Sequence, residues 1–380
     1  MNHKPIMTCA HYISNFLFTT LNWLYPILKS TASYKPVVFA RKINNLESFP
    51  VQKLYALARL NPFAQGMNLA IYKTLGYFPL FRKAGQKEGA QLLHAHFGYD
   101  GYKMLPLKKK LGVPMITGFY GLDASSYLRR TEWLEKYRKL FEEGEVFLVL
   151  GPRMREALTN AGCPAEKIII QNLGIVIEEF PLQASKLNPG ETARIIMGAS
   201  FREKKGIIYA LEAAAMLRDH SINYKLVIAG DGDMRPEIER KISDLNLRNR
   251  IDLLGYVEPL AFRKLLARGH MLILPSVTAS DGDMEGTPFV LMEALALGMP
   301  VVSTWHADIP EIVKDGCNGF LVPERDAYAL AEKLEYLLQH PETWAALGKA
   351  GREHISEHFN AQRQFEKLLQ IYARVIGRSA

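Results

Sequence analysis

The sequence predicts an α/β protein of two Rossmann-like domains, each built on a parallel sheet. Three observations predict it. At 380 residues the chain is long for one hydrophobic core, so two domains are the expectation. From residue 194 onward, short apolar runs alternate with helix-length segments, the pattern of βαβ units on a parallel sheet. Between the halves lies a polar stretch, residues 181–193, whose prolines and glycine suit a linker. The boundaries drawn from this are 1–180, 181–355 and a C-terminal helix over 356–380.

In the first half, residues 4–10 and the run P-V-V-F-A at 36–40 read as strands. A helix rich in aromatics (Phe16, Phe18, Trp23, Tyr25) is expected between them. Residues 51–91 show a helical pattern with basic residues set among aromatics, such as Lys53, Tyr55, Arg59, Tyr72, Lys73 and Phe81. An amphipathic helical pair packed on a sheet explains this. The functional alternative is a docking face for a lipid-linked acceptor, with rings in the interface and charges on headgroups. Lys108, Lys109 and Lys110 add to such a face, or form a solvated helix end.

Q-L-L-H-A-H-F-G, residues 91–98, reads as a strand with His94 and His96 on one face. An H-x-H pair is half a metal site, but no third and fourth ligands follow at suitable spacing. Hydrogen-bonded, packed histidines at a strand end are the expectation. A strand and turn follow at 113–123, V-P-M-I-T-G-F-Y-G-L-D. E-V-F-L-V-L at 145–150 is a buried-type strand before a helix from Pro152, and K-I-I-I-Q at 167–171 is the next strand.

In the second half the expected strands are 194–197, 225–229, 251–254, 271–274, 300–303 and 319–322. The expected helices are 206–219, 234–245, 259–268, 288–297, 309–313 and 327–339, with a helical C-terminus over 341–377. Ligands of such sheets bind outside the carboxyl ends of the strands.

Composition narrows the class. Hydrophobic residues make up 48% and charged residues 23%, ordinary for a globular chain. Cys9, Cys163 and Cys317 lie far apart, which suits a reducing compartment and argues against a disulfide framework. The net charge of +8 is lopsided: residues 1–180 carry 23 Lys+Arg against 13 Asp+Glu, net +10, and the remainder 24 against 26, net −2. A basic half prefers anionic partners. No nucleic-acid module is visible, so an acidic acceptor or an anionic membrane face leads. Residues 16–28, the most apolar N-terminal run, are broken by Asn22 and Pro26 and are too short to span a bilayer. A cytoplasmic protein is expected, in peripheral contact with the inner face of the cell membrane.

The site motif lies at residues 281–300, D-G-D-M-E-G-T-P-F-V-L-M-E-A-L-A-L-G-M-P. A polar loop follows a strand, and Pro288 opens a helix that Gly298 and Pro300 close. Glu285 lies in the loop and Glu293 eight positions on, so two carboxylates flank a helix N-terminus suited to a phosphate. A diphosphate with a sugar at each end would fit. Spacing alone favours a solvated loop before an amphipathic helix with a surface Glu, because E-x7-E is a loose pattern.

The segment resembles the signature of the retaining glycosyltransferases of family four, of the exopolysaccharide, colanic-acid type, which have the GT-B fold. The resemblance implies that Glu285 contacts the donor sugar and Glu293 holds the nucleotide ribose. It places the backbone of Gly286, Thr287 and Pro288 against sugar and diphosphate. H-A-H-F-G resembles the family's cleft-lining "HaHfg". Residues 113–123 resemble its "vtTfHGyD", with Gly121 and Asp123 matching and Tyr120 standing where the family has a donor-contacting histidine. A tyrosine hydroxyl still donates a hydrogen bond but does not titrate near neutrality. G-A-S-F-R-E-K-K-G, residues 198–206, resembles "vGRlvekKG". Lys205 takes the diphosphate-binding lysine position, Ser200 the arginine position, and Arg202 lies two residues beyond. A-G-D-G at 229–232, with Gly230, resembles the nucleotide-cleft turn "iGdGp".

These implications make the chain GT-B, two Rossmann-like domains facing a cleft. The first binds a glycan or polyprenyl-lipid-linked acceptor, the second a nucleoside-diphosphate sugar, UDP- or GDP-linked, and the terminal helix crosses back to the first domain, with Trp344 and Phe359 packing there. The expected activity is hexosyl transfer with retention in cell-surface polysaccharide biosynthesis. The expected catalytic residues are Glu285, Lys205, Tyr120 and Asp123, and the donor-binding residues Glu293, Arg202, Ser200, Gly286, Thr287, Pro288 and Gly230. No cofactor, metal or nucleic acid is expected; the D-x-D pairs Asp231/Asp233 and Asp281/Asp283 read as turns. Two other classes stay open. A nucleotide-sugar isomerase of the GT-B-like epimerase type would release epimerised free sugar nucleotide, and a catalytically silent binding protein would bind without turnover.

Overall fold

A computed structural model describes residues 7–17, 19–29, 31–183 and 186–377, without the side chains of residues 19–22. Lys4 to Ile6 of the expected first strand, and Phe18, lie outside the described residues. The chain divides into two units, Met1–Leu173 with Ala361–Ala380, and Gly174–Asn360.

The first unit contains β1 (Met7–Phe16), β2 (Tyr34–Ile43), β3 (Leu54–Ala56), α1 (Pro62–Leu75), α2 (Pro79–Glu88) and β4 (Leu92–His96). It continues through α3 (Gly98–Leu111), β5 (Met115–Gly118), α4 (Thr131–Glu143), β6 (Val146–Val149), α5 (Pro152–Asn160) and β7 (Ile168–Ile170). The sheet is parallel, in the order β3-β2-β1-β4-β5-β6-β7. The order reverses between β1 and β4, the switch point at which α/β sheets open a crevice.

β1 runs on to Phe16, past the expected end at Ala10. The extension includes polar residues, and half-buried Ser14 is partnered: its Oγ donates to Asp100 Oδ1 at 2.6 Å and its N–H to Asp100 Oδ2 at 3.0 Å. The expected aromatic helix is a 3-10 helix, Thr19–Leu28, with Pro26 removing one backbone donor. The helical pattern expected from residue 51 begins only at α1. Before it, Leu54–Ala56 pairs with Val38, Phe39 and Ala40 as an edge strand. Asn61 caps α1 by accepting from Ala64 N at 2.8 Å, and Pro62 fills the first turn.

The second unit contains β8 (Ala193–Gly198), α6 (Ile207–Asp219), β9 (Tyr224–Ala229), α7 (Arg235–Asp244), β10 (Ile251–Gly255) and α8 (Pro259–Leu266). Then follow β11 (Met271–Leu274), α9 (Phe289–Leu297), β12 (Val301–Thr304), α10 (Ile309–Ile312), β13 (Phe320–Val322), α11 (Ala327–Gln339) and α12 (Trp344–His358). The parallel order is β10-β9-β8-β11-β12-β13, with its switch point between β8 and β11. All six expected strands are present.

α13 (Ala361–Gly377) belongs to the first unit. Its Leu368, Ile371, Tyr372 and Val375, spaced three and four apart, bury against Cys9, Leu92, Ile116 and Leu148 of that sheet. Each such aliphatic side chain contributes about 1.5–3 kcal/mol. Trp344 and Phe359 instead pack into the core of the second unit, where Trp344 Nε1 donates to Leu337 O at 2.8 Å. That corrects the expectation that they pack on the first domain.

Candidate active site

In the second unit the switch point brings two loops side by side, the one after β8 (199–206) and the one after β11 (275–288). Val277 N donates to Lys204 O at 2.9 Å, and Ser280 N and Oγ donate to Glu203 Oε2 at 2.9 and 2.6 Å. Gly206 has φ +65, and a Cβ there would lie 1.8 Å from Pro275 O, so only glycine lets the loops close up. Gly230, at φ +151, is equally constrained: a Cβ would lie 1.7 Å from Ala199 O.

This lacing places Lys205 Nζ 2.6 Å from Glu285 Oε1, with side chains 16% and 6% exposed. Lys204 Nζ sits 3.0 Å from Asp283 Oδ1 and 3.1 Å from Met284 O. Burial alone would raise the Glu285 carboxyl. Lys205 and Lys204, with His306, outweigh it and hold the group below the usual glutamate value, ionised. A buried carboxylate and an ammonium are therefore presented together at the carboxyl edge of the sheet.

Spacing gives no sign of the residues that hold this loop. The N–H of Glu285 donates to His306 Nε2 at 3.0 Å, which leaves the proton on Nδ1, and that donates to Glu324 Oε1 at 2.7 Å. Glu324 Oε2 in turn accepts the N–H of Thr278 at 2.7 Å. The one signal for His306 is its place just after an apolar strand, at the carboxyl edge.

Gly286 and Thr287 lead into α9. Pro288 is the cap residue rather than the first helical one, and no side chain caps the helix. Its N-terminal amides carry the partial positive charge that suits a phosphate. Glu293, half-buried on α9, is pushed up to about 7, first by burial and then by the charge of Glu179, against the pull of Arg263. Arg263 is itself held 2.5 Å from Glu179. Arg202 is exposed, beside a hollow of about 800 Å³ that Phe201, Tyr209 and Asp233 also line. Ser200 is half-buried, and its carbonyl accepts the Arg202 N–H at 2.8 Å. Both D-x-D pairs face cations: Asp231 lies 2.8 Å from Arg235 Nε, and Asp283 pairs with Lys204.

In the first unit, Asp123 is fully buried and joins two loops. Its Oδ1 accepts Tyr120 N at 2.9 Å and Gly121 N at 3.1 Å, and its Oδ2 accepts Gly98 N at 2.8 Å. Burial still pushes its carboxyl up to about 6. The Tyr120 ring packs against Trp23 with centroids 4.6 Å apart, and its hydroxyl lies 2.9 Å from His96 Nδ1. His11 of β1 supplies a third histidine beside His94 and His96. Sequence spacing could not show it, because strand pairing brings it there.

Two Rossmann-like units, each on a parallel sheet, are the architecture of the GT-B glycosyltransferases. Residues 179–354 match the family Glycosyl transferases group 1, and residues 31–179 match Glycosyltransferase Family 4. The amylovoran biosynthesis glycosyltransferase AmsK of Erwinia amylovora is 35% identical over 290 residues, 75% of this chain and 70% of that protein. WcaL of Escherichia coli K12, named for colanic acid biosynthesis, is 33% identical over 340 residues, 87% of this chain and 83% of that one. Among solved structures, Anabaena HepE with UDP and glucose superposes with a TM-score of 0.80 at 17% identity, over 97% of this chain and 99% of that one. A Rickettsia africae glycosyltransferase superposes with a TM-score of 0.79 at 16% identity, over 98% and 99%. At those identities the likeness is one of fold. The chain belongs to the glycosyl transferases group 1 family and is a glycosyltransferase.

Proposed function

We propose that the chain moves a hexosyl group from a UDP- or GDP-linked sugar to a glycan or polyprenyl-lipid-linked acceptor, with retention of configuration, in cell-surface polysaccharide biosynthesis. The observation that carries this reading is the buried Lys205–Glu285 pair at the switch point. Glu285 faces the donor sugar. Lys205, the amides at Gly286, Thr287 and Pro288, and Arg202 from its outer side stabilise the charge of the departing diphosphate. Glu293 takes the ribose hydroxyls. Tyr120, whose N–H donates to Asp123, and Asp123 itself are assigned catalytic roles within the first unit. No nucleophile is assigned. The sugar C1–phosphate bond breaks, the C1–acceptor oxygen bond forms on the same face, and the leaving phosphate takes the acceptor's proton. No cofactor or metal is assigned to the transfer.

The names of AmsK and WcaL support the polysaccharide setting, and the UDP-glucose complex of HepE supports a UDP donor. The acceptor reading rests on the first unit. There Lys73, Lys103, Lys109 and Lys139, with Tyr72 and Tyr102, line a hollow of about 470 Å³. α1 exposes Phe63, Met67 and Leu75. Among the described residues no helix is long and apolar enough to cross a membrane. We assign the chain to the cytoplasm, peripheral on the inner face of the cell membrane, with apolar α1 residues in the interface and lysines on phosphates.

The test is incubation with a panel of UDP- and GDP-hexoses and a polyprenyl-diphosphate-linked sugar, followed by mass spectrometry and NMR of the product linkage. A glycosylated acceptor with the donor's anomeric configuration supports the reading. Inversion, epimerised free sugar nucleotide, or binding of every donor without turnover contradicts it.

A further inference from the structure

The first unit contains a second cluster of chemistry that the transfer reaction does not use. Parallel pairing of β1 with β4 sets His11 opposite His94, and His96 follows two residues on, on the same face. Each ring offers one nitrogen to a common point, and those nitrogens all lie within 4.8 Å of one another. His11 and His96 are 0% exposed and His94 is 1% exposed.

The rings are oriented from outside. His94 Nδ1 lies 2.6 Å from the Tyr372 hydroxyl, His96 Nδ1 lies 2.9 Å from that of Tyr120, and His11 Nε2 is hydrogen-bonded to that of Tyr34. The nitrogens left facing inward are His11 Nδ1, His94 Nε2 and His96 Nε2. Those of His11 and His96 are 3.0 Å apart. Two imidazole ligands of one tetrahedral zinc ion, with bonds of about 2.0–2.1 Å, stand about 3.3 Å apart. One proton can bridge the His11–His96 pair, but His94 Nε2 is buried with no hydrogen-bond partner.

We propose that His11, His94 and His96 together hold a divalent transition-metal ion of the imidazole-preferring class, zinc foremost. Three inward nitrogens, each fixed by a hydroxyl on the ring's other nitrogen, form the arrangement that metal-binding histidines need. The ion satisfies the orphaned His94 nitrogen. It ties β1 to β4 and, through Tyr372, to α13, and it fixes His96, on which the Tyr120 hydroxyl rests. The ligands are closed off from solvent, so the ion enters as the chain folds. It is a structural ion.

The test uses untagged full-length protein from cells grown in zinc- or cobalt-supplemented minimal medium. Elemental analysis of the zinc-grown protein should find about one equivalent of metal after gel filtration. The cobalt-grown protein should show the visible d–d bands of a low-symmetry Co2+ site. His94→Gln should lose both signals. Tyr372→Phe keeps every ligand and should fold; its ion should pass to a competing chelator at about 10–100-fold lower chelator concentration. Folded wild-type protein with less than about a tenth of an equivalent of metal and no d–d bands overturns the proposal, whatever the variants do.

Discussion

Lys205 Nζ lies 2.6 Å from Glu285 Oε1, across 80 residues of chain, with both side chains largely buried. Each group stabilises the other in the folded protein, and each is assigned a separate part of the donor. Lys205→Met should cut kcat by about 100–1000-fold, the usual loss for one donor aimed at developing charge. It also leaves Glu285 buried without its main partner, costing up to about 3 kcal/mol. The double variant Lys205→Met/Glu285→Gln should recover most of that stability and none of the activity. Thermal melts and steady-state rates on the three variants separate the two effects.

Glu293 should make stability and donor affinity respond to pH in opposite ways. Its folded-state value of about 7 lies above its ordinary value of 4.5. The folded state therefore favours the protonated form. That stabilisation is complete below 4.5 and is lost as pH rises through 7. Glu293→Gln stays neutral, so its melting temperature should match wild type at acid pH and exceed it above neutrality, by up to about 3 kcal/mol in stability. Donor affinity should rise through neutrality in wild type, as the carboxylate becomes a full acceptor for the ribose hydroxyls, and stay flat in the variant.

His306 should act through the backbone of Glu285. His306→Ala strands the Glu285 N–H and removes the donor to Glu324, with an expected loss of about 1–3 kcal/mol. Displacement of Glu285 should lower kcat/KM by about 10–100-fold. Equal kcat/KM in variant and wild type at a temperature where both are folded would show that the contact is structural alone.

Gly230→Ala should perturb the donor loop from a distance. The added methyl meets Ala199 O, so the turn after β9 must lift off the loop that begins at Ala199. The expected cost is about 2–4 kcal/mol. Hydrogen exchange should show faster opening of residues 199–206 with the β11 core unchanged.

The strands of the second unit were legible because most are short, largely buried parallel strands, which read as apolar runs bounded by glycine, proline or charge. The later part of β1 was not, because His11, Tyr12 and Ser14 break the apolar run, and their buried partners, among them Asp100 and His96, come from distant segments. β3 is three residues long and shows no period. At the candidate site, local motifs picked out Lys205 and Glu285, which the structure pairs, and Glu293, which stands on the expected helix. His306 and His11 were not picked out. Their roles depend on strand order and register, which bring together residues 21 and 83 positions apart. Trp344 was misplaced for a similar reason: an aromatic in a C-terminal helix does not say which of two cores it enters.

The most direct measurement is a thermal-shift series with UDP-, GDP-, ADP- and dTDP-sugars on wild type, Lys205→Met and Glu293→Ala, with and without EDTA. Ligand at about a hundred times its Kd stabilises by about 2.7 kcal/mol. The account predicts that one nucleotide series raises the wild-type melting temperature, raises that of each variant much less, and keeps its effect in EDTA. No shift with any nucleotide, or a shift that survives both substitutions unchanged, would contradict the assignment of Lys205, Glu285 and Glu293 as the donor site.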